Sequence, residues 1–285
     1  MSHKRKVAFA IAAHPDDIEF QMAGTLILLK QAGYELHYMN IANGSCGTAT
    51  HTRAEIVRIR TNEAKAACKV IGATFHPPLV NDLDILYEKE LLARVSAVVR
   101  KVRPTVMLVH SPQDYMEDHV NAGRLAVSGA FFRGMRNYPT IPRTKAADYD
   151  LTIYHSMPHS LRDSMRRRIL PEYYVDITSA FALKREMLAQ HRSQKEWLDV
   201  SQGFDSYLKT IEEMAAEVGR MSGRFEYAEG WRRHSHIGFS DQEQDPLLHV
   251  LGKLVKVEQA YRRWLEEPAA HVGLRASGAR GRRQR

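Results

Sequence analysis

The residues best suited to chemistry form a short cluster, His14-Pro15-Asp16-Asp17, directly after an apolar run, and a second pair, Asp118-His119, lies far downstream. Histidine and carboxylate are ligands that catalytic zinc uses, with three protein ligands and one position left for water. His14, Asp17 and His119 would supply such a set. Asp16 would then lie beside the ion as a base for the bound water. This pattern predicts metal-assisted hydrolysis.

A simpler interpretation of the same residues also exists. Asp16 and Asp17 could do no more than cap the helix that follows, because aspartate is common at helix starts, and His119 could be a surface residue. The metal site is favoured because histidine, proline and two acids follow one predicted strand while Asp118-His119 follows another.

Short apolar strands alternate with helical segments through the first half of the chain. The predicted strands are Lys6–Ala13, Glu35–Ala42 and Thr105–His110, and the predicted helices are Gly24–Ala32, Thr52–Ile71, Leu91–Val102 and His119–Phe132. This alternation predicts an α/β, Rossmann-like fold, with a mostly parallel sheet and helices on both faces. Ligands bind outside the carboxyl ends of the strands in such sheets, where His14 and His119 both fall.

The second half of the chain is less regular. Strands are predicted at Leu151–Met157 and Tyr173–Ile177, and helices at Thr178–Gln190 and Phe204–Met221. The segment Arg224–Ser240 has little regular pattern and is predicted to be a loop that covers a site. Within it, the aromatic and polar residues of Tyr227–His236 fit a sugar-contacting lid or an oligomer contact, and the sequence does not choose between them.

The 285 residues are predicted to form a single domain, residues 1–272, and a basic, disordered tail, residues 273–285. The tail carries much of the net charge of +8 among Gly, Ser and Ala, and such a segment cannot bury apolar surface. A solubilising tail is favoured over one that binds nucleic acid. The two cysteines fit a reducing cytoplasm, and no apolar run is long enough to span a bilayer. We therefore expect a cytoplasmic protein without a transmembrane segment.

Several segments resemble one family, the PIG-L/LmbE-like zinc-dependent N-acetylglucosamine deacetylases. Ala13–Glu19, with Ala23–Leu26 after it, resembles the opening motif of that family. Later segments resemble its further blocks in the same order: Arg60–Ala64 with Gly72, Asp118–Val120 with Ala122-Gly123, and Asp176-Ile177 followed by Lys184–Glu186 and His191–Gln194. The resemblance extends from about residue 7 to residue 194.

The resemblance implies a hydrolase that removes the N-acetyl group from a small-molecule or glycoconjugate substrate containing N-acetylglucosamine. It implies one zinc ion held by His14, Asp17 and His119. Asp16 would be the general base, and Asp118 would assist catalysis by orienting a histidine or the base. Arg60 would bind acetyl or sugar oxygens; alternatively, it is a surface residue paired on its helix with Glu55 or Glu63. Relatives form trimers or hexamers, so a homo-oligomer is also expected.

One position departs from the family pattern. Met116 stands where the family commonly has a histidine that stabilises the tetrahedral intermediate or protonates the leaving amine, and methionine can do neither. His110, Tyr115 or a histidine of the segment 224–236 could substitute, although His110 could equally be a buried histidine bonded to backbone. The departure also motivates an alternative function, a catalytically impaired zinc-containing protein that binds sugar.

Overall fold

The computed structural model describes residues 5–195, 197 and 206–267. The strands are β1 (Val7–Ala12), β2 (Glu35–Asn40), β3 (Thr74–His76), β4 (Val106–Val109), β5 (Thr152–Ser156), β6 (Tyr173–Asp176), β7 (Ala228–Arg233) and β8 (Val255–Val257). The helices are α1 (Asp17–Gln21), α2 (Ala23–Gln31), α3 (Arg53–Val70), α4 (Lys89–Val102), α5 (Glu117–Phe131), α6 (Phe181–Leu188), α7 (Ser206–Ser222), α8 (Pro246–Leu251) and α9 (Gln259–Glu266). The predicted tail and the first residues of the helix predicted at 204–221 lie outside the described residues.

The eight strands of the described residues belong to one sheet, in the order β3-β2-β1-β4-β5-β7-β6-β8. Neighbours from β3 to β5 are parallel, whereas β7 pairs antiparallel with both β5 and β6. Successive side chains of β1 enter two different cores: Ala8, Ala10 and Ala12 pack on one face, and Val7, Phe9 and Ile11 on the other. The predicted α/β fold, with helices on both faces of the sheet, is therefore confirmed.

Local signals explain where several helices begin and end. Thr52 caps α3 in a reciprocal capping box with Glu55. Gly33 and Gly72, which follow α2 and α3, have φ angles of 86° and 60°, a region that glycine enters without a steric penalty. No helix among the described residues is long and apolar enough to cross a membrane.

The prediction of a covering loop at Arg224–Ser240 is wrong at its centre. Residues Ala228–Arg233 form β7, which lies inside the sheet, and Trp231 is 0% exposed. Glu229 is buried because its carboxylate accepts hydrogen bonds from the backbone amides of Gly24 and Thr25 and from the ammonium of Lys184. The hydropathy pattern does not predict this strand, because its buried charge is paired with residues of distant segments. Because residues 228–233 lie inside the sheet, they form no lid.

Candidate active site

The candidate site lies at the carboxyl ends of β1 and β4, which are adjacent and parallel. After β1 the chain turns sharply, and the amide of Asp17 donates to the carbonyl of His14 at 3.2 Å. Asp16 makes this turn with a φ of 108°, a left-handed conformation that few residues other than glycine adopt. After β4, a short loop leads into α5, whose first turn carries Asp118 and His119. The two segments meet in one cleft.

Three of the predicted residues form a compact set of ligand atoms. His14, Asp17 and His119 are buried, and each offers a ligand atom within 4.8 Å of the others. The Asp17 carboxylate lies between the two rings, 3.5 Å from Nδ1 of His14 and 3.3 Å from Nε2 of His119. It is held in place by the backbone amide of His14 at 2.7 Å. Two imidazoles and one carboxylate facing a common point suit a divalent metal such as zinc.

A further carboxylate holds each of these histidines from behind. His14 donates through Nε2 to Asp118 at 2.9 Å, and His119 donates through Nδ1 to Asp114 at 3.0 Å. Each ring therefore presents its other nitrogen toward Asp17. Carboxylates commonly orient metal-binding histidines in this way. Asp118 thus lies behind His14. Asp114 was not predicted, because it has no periodic or motif signal in the loop before α5.

The electrostatics of the set favour a bound cation. Burial lowers the pKa of His14 and His119, but hydrogen bonds and charge from the adjacent carboxylates outweigh it and raise those pKa values to about 9 and about 10. Burial raises the pKa of Asp17, yet the surrounding histidines hold it well below its usual range. Protons on the two rings therefore balance the buried carboxylates. A divalent ion can replace those protons, so these residues fit a metal.

Asp16 lies beside this set without belonging to it. Its Oδ2 accepts a hydrogen bond from the hydroxyl of Tyr207 at 2.8 Å and lies 3.5 Å from Nη2 of Arg60. Burial raises the pKa of Asp16 to about 6, although the charge of Arg60 and the bond from Tyr207 act in the opposite direction. A carboxylate with such a pKa accepts a proton near neutral pH.

Arg60 is buried at 3% exposure, so the alternative that it is a surface residue paired with Glu55 or Glu63 is wrong. It reaches from α3 to the turn after β1, where Nη2 donates to the carbonyl of Pro15. Its side chain passes two glycines closely. A Cβ at Gly44 would lie 2.5 Å from Arg60 Cδ, and one at Gly47 would lie 2.3 Å from Nη1. The glycine-rich loop after β2 therefore makes room for Arg60.

A cavity of about 450 Å³ opens onto the site. His14, Asp16, Asp17, Arg60 and His119 all line it, whereas Asp118 does not. Aromatic side chains form much of the remaining wall: Phe20, Tyr115, Trp197 and Tyr207. The volume lies within the range of pockets that bind small molecules, about 300–1,000 Å³.

The structure shows which of the residues that could substitute for the missing histidine line the cavity. His110 is 0% exposed, its Nε2 accepts the amide of Ala13 at 2.9 Å, and its ring stacks behind His119, so it is a buried histidine bonded to backbone. His234 bonds to His155 at 3.0 Å and does not line the cavity. Tyr115 and Met116 do line it. So does His159, which was not predicted because no motif marks the loop after β5.

Comparison with known proteins gives the family. The model of the PIG-L family, described as GlcNAc-PI de-N-acetylase, matches residues 9–130. Diacetylchitobiose deacetylase of Thermococcus kodakarensis is 30% identical over 234 residues, covering 80% of this chain and 82% of that protein. 4-Oxalmesaconate hydratase of Pseudomonas putida is 27% identical over 192 residues, covering 65% of this chain and 72% of that protein.

A solved structure shows the same fold. N,N'-diacetylchitobiose deacetylase from Pyrococcus horikoshii superposes with a TM-score of 0.68 at 23% identity, over 85% of this chain and 88% of that one. The motifs of the family occur in the expected order along the sequence. The identity to the Thermococcus protein extends over most of both chains. The chain belongs to the PIG-L deacetylase family.

Proposed function

We propose that this protein is a zinc-dependent hydrolase that removes the acetyl group from an N-acetylglucosamine unit of a small molecule or glycoconjugate. The observation that carries the proposal is the position of Asp16. It lies on the wall of the same cavity as His14, Asp17 and His119, yet its carboxylate is held by Tyr207 and faces Arg60. A carboxylate beside three candidate ligands, rather than among them, is free to act as a base.

Each residue has a part in this scheme. A metal ion held by His14, Asp17 and His119 would polarise the acetyl carbonyl and make water more acidic. Asp16 takes a proton from the attacking water, and its pKa of about 6 suits that role near neutral pH. Asp118 keeps the ring of His14 oriented. These parts amount to hydrolysis of an amide with no covalent intermediate on the protein.

Arg60 makes two contributions in this scheme. It lines the cavity, which supports the expectation that its guanidinium binds acetyl or sugar oxygens. It also holds the carbonyl of Pro15 and keeps a positive charge near Asp16, which favours the ionised base.

The substrate class is supported by the cavity and by a relative. Aromatic rings such as Phe20 and Trp197 suit the apolar faces of a sugar ring. The most extensive sequence match reported above is to a protein named diacetylchitobiose deacetylase. The homo-oligomer expected from the resemblance stays a prediction.

The test is release of acetate. The zinc-loaded protein is incubated with a panel of N-acetylglucosamine derivatives, and acetate and free amine are both measured. Asp16→Ala is expected to retain zinc but lose turnover, because it removes the base and no ligand, whereas His119→Ala is expected to lose both. Full activity of Asp16→Ala on a substrate that the wild type hydrolyses would refute the mechanism.

A second candidate is hydration of a carbon–carbon double bond. The observation that favours it is the match to 4-oxalmesaconate hydratase over 72% of that protein, since an activated water can add to carbon as well as to an acyl group. Because Met116 replaces the histidine common in the family, a third candidate is a protein that binds sugar without turnover. Tight binding of the panel sugars with no acetate released would favour that binder.

A further inference from the structure

His159 lies in the cavity with no role in the scheme above. It follows β5, the neighbour of β4, so it stands at the same carboxyl edge of the sheet as the candidate ligands. Two aromatic rings hold its imidazole edge-on: Phe20 at 5.2 Å and Tyr115 at 6.4 Å between ring centroids. Within the described part of the chain, the imidazole is therefore held by ring packing and not by hydrogen bonds.

These rings continue into an aromatic arc, Tyr115–His159–Phe20–Tyr207, along the cavity wall. At one end, Tyr115 packs edge-on against His119, with centroids 5.6 Å apart. At the other end, the hydroxyl of Tyr207 donates to Asp16. The arc therefore joins a candidate ligand to the candidate base, and His159 lies in its middle. An acetamide between Asp16 and His119 would lie against this arc.

Most other polar groups of the cavity are already engaged. The candidate ligands and Asp16 contact one another or their supporting residues, as described above. The carboxylate of Asp82 accepts the amides of Gly44 and Cys46. Among the described residues, the ring nitrogens of His159 have no hydrogen-bond partner. An oriented but unbonded imidazole facing a cavity is available to a ligand.

We propose that His159 is a further catalytic residue, whose ring N–H donates a hydrogen bond to the oxygen of the reacting acetyl group. It would take over part of the role that the family gives to the histidine replaced here by Met116. The proposal rests on the deacetylase function proposed above. Imidazole carries an N–H in its neutral and its protonated form, so the role does not depend on its charge.

The reaction then balances without another acid. The water oxygen bonds to the acetyl carbon as Asp16 takes one proton, and the carbonyl electron pair moves onto oxygen, where His159 donates. The pair returns as the C–N bond breaks, and the proton on Asp16 passes to the amine nitrogen. Acetic acid and a free amine leave, the acid then gives its proton to the amine or to solvent to become acetate, and both side chains regain their starting states.

The test compares His159→Ala with His159→Gln. Loss of one donor to a developing oxyanion lowers kcat by about 10²–10³-fold, so that loss is expected for the alanine variant with KM changed by only a few fold. Glutamine retains an N–H donor, and a recovery of about tenfold is expected. His249→Gln, at an exposed histidine of α8, is the matched control and should behave as the wild type. A His159→Ala variant within threefold of wild type would overturn the proposal.

Tyr115 is the rival donor, since it also lines the cavity and carries a hydroxyl. Tyr115→Phe keeps the ring that packs on His159 and is expected to retain most of kcat. A large loss in Tyr115→Phe with none in His159→Gln would transfer the role to Tyr115. The double variant Met116→His/His159→Ala tests the exchange of roles, and it is expected to regain activity relative to His159→Ala alone.

A binding measurement separates failure of this proposal from failure of the deacetylase function. The probe is glucosamine with a methylphosphonamide in place of the acetamide, which carries tetrahedral, charged oxygens. His159→Ala, loaded with zinc to the wild-type level, is expected to bind it at least tenfold more weakly but to bind free glucosamine equally well. If the wild type releases no acetate, this difference still supports the contact. Equal affinity of both proteins for the probe overturns it.

Discussion

The charge of Arg60 should determine the position of the acidic limb of the pH–activity profile. The base must be ionised, so activity falls as the pH drops through the pKa of Asp16, which burial raises to about 6 against the opposing charge of Arg60. Arg60→Met removes that charge with little change in side-chain volume. The pKa of Asp16 should therefore rise, and the acidic limb of the kcat/KM profile should move to higher pH.

The size of the shift follows from the distance. Opposite unit charges 3.5 Å apart, the separation of Arg60 Nη2 and Asp16 Oδ2, attract by about 5 kcal/mol at an effective dielectric constant of 20. This equals ~3.5 pKa units. Water that enters the vacated space offsets part of the loss, so we expect a shift of about 1–2 units. Activity at pH 7 should then fall about two- to tenfold and recover at higher pH.

The assay is acetate release as a function of pH for the wild type, Arg60→Met and Arg60→Lys, each at full metal occupancy. Lysine retains a positive charge and should leave the acidic limb close to that of the wild type. A thermal melt of each variant checks that the protein remains folded over the pH range. An unshifted limb in a folded Arg60→Met protein would refute the idea that Asp16, under the influence of Arg60, is the titrating base.

Three more variants test other parts of the structure. Asp114→Ala removes the acceptor behind a candidate ligand ring and should weaken zinc binding by about 10–100-fold in a chelator competition; unchanged affinity would contradict that contact. Gly47→Ala places a Cβ 2.3 Å from Nη1 of Arg60, so kcat/KM should fall at least tenfold, and a fully active variant would show that Arg60 can move freely. Glu229→Gln leaves the ammonium of Lys184 without its buried carboxylate and should lower the free energy of unfolding by about 3–5 kcal/mol in denaturant titrations. An unchanged free energy of unfolding would show that the ion pair is dispensable.

The parallel half of the fold could be predicted because its signals are local. β1 is an uninterrupted apolar run, and α3 begins with a capping box and is followed by a glycine with positive φ. The rule that parallel strands bring their carboxyl ends together then placed His14 and His119 at one edge. Such inferences need only short stretches of sequence and a general property of sheets.

The remaining features depend on partners that the sequence does not reveal. β7 carries a buried Glu229 whose acceptors are filled by residues of α2 and α6, so its hydropathy does not resemble that of a strand. Asp114 and His159 lie in loops, and only the tertiary structure brings them to His119 and to the cavity. The burial of Arg60 could not be predicted for a similar reason, because the glycines that its side chain contacts, Gly44 and Gly47, lie in a different segment.

The most direct test of the central claim traces the oxygen of the water. The zinc-loaded protein is incubated with an N-acetylated chitobiose in water enriched in oxygen-18, and acetate and sugar are analysed by mass spectrometry. Hydrolysis assisted by Asp16 predicts one labelled oxygen in each acetate released, none in the sugar amine, and no product from Asp16→Ala. Unreacted N-acetylated sugar with no acetate would contradict deacetylation. If an unsaturated acid offered in parallel were converted to a hydroxy acid that carries the label, hydration would be favoured.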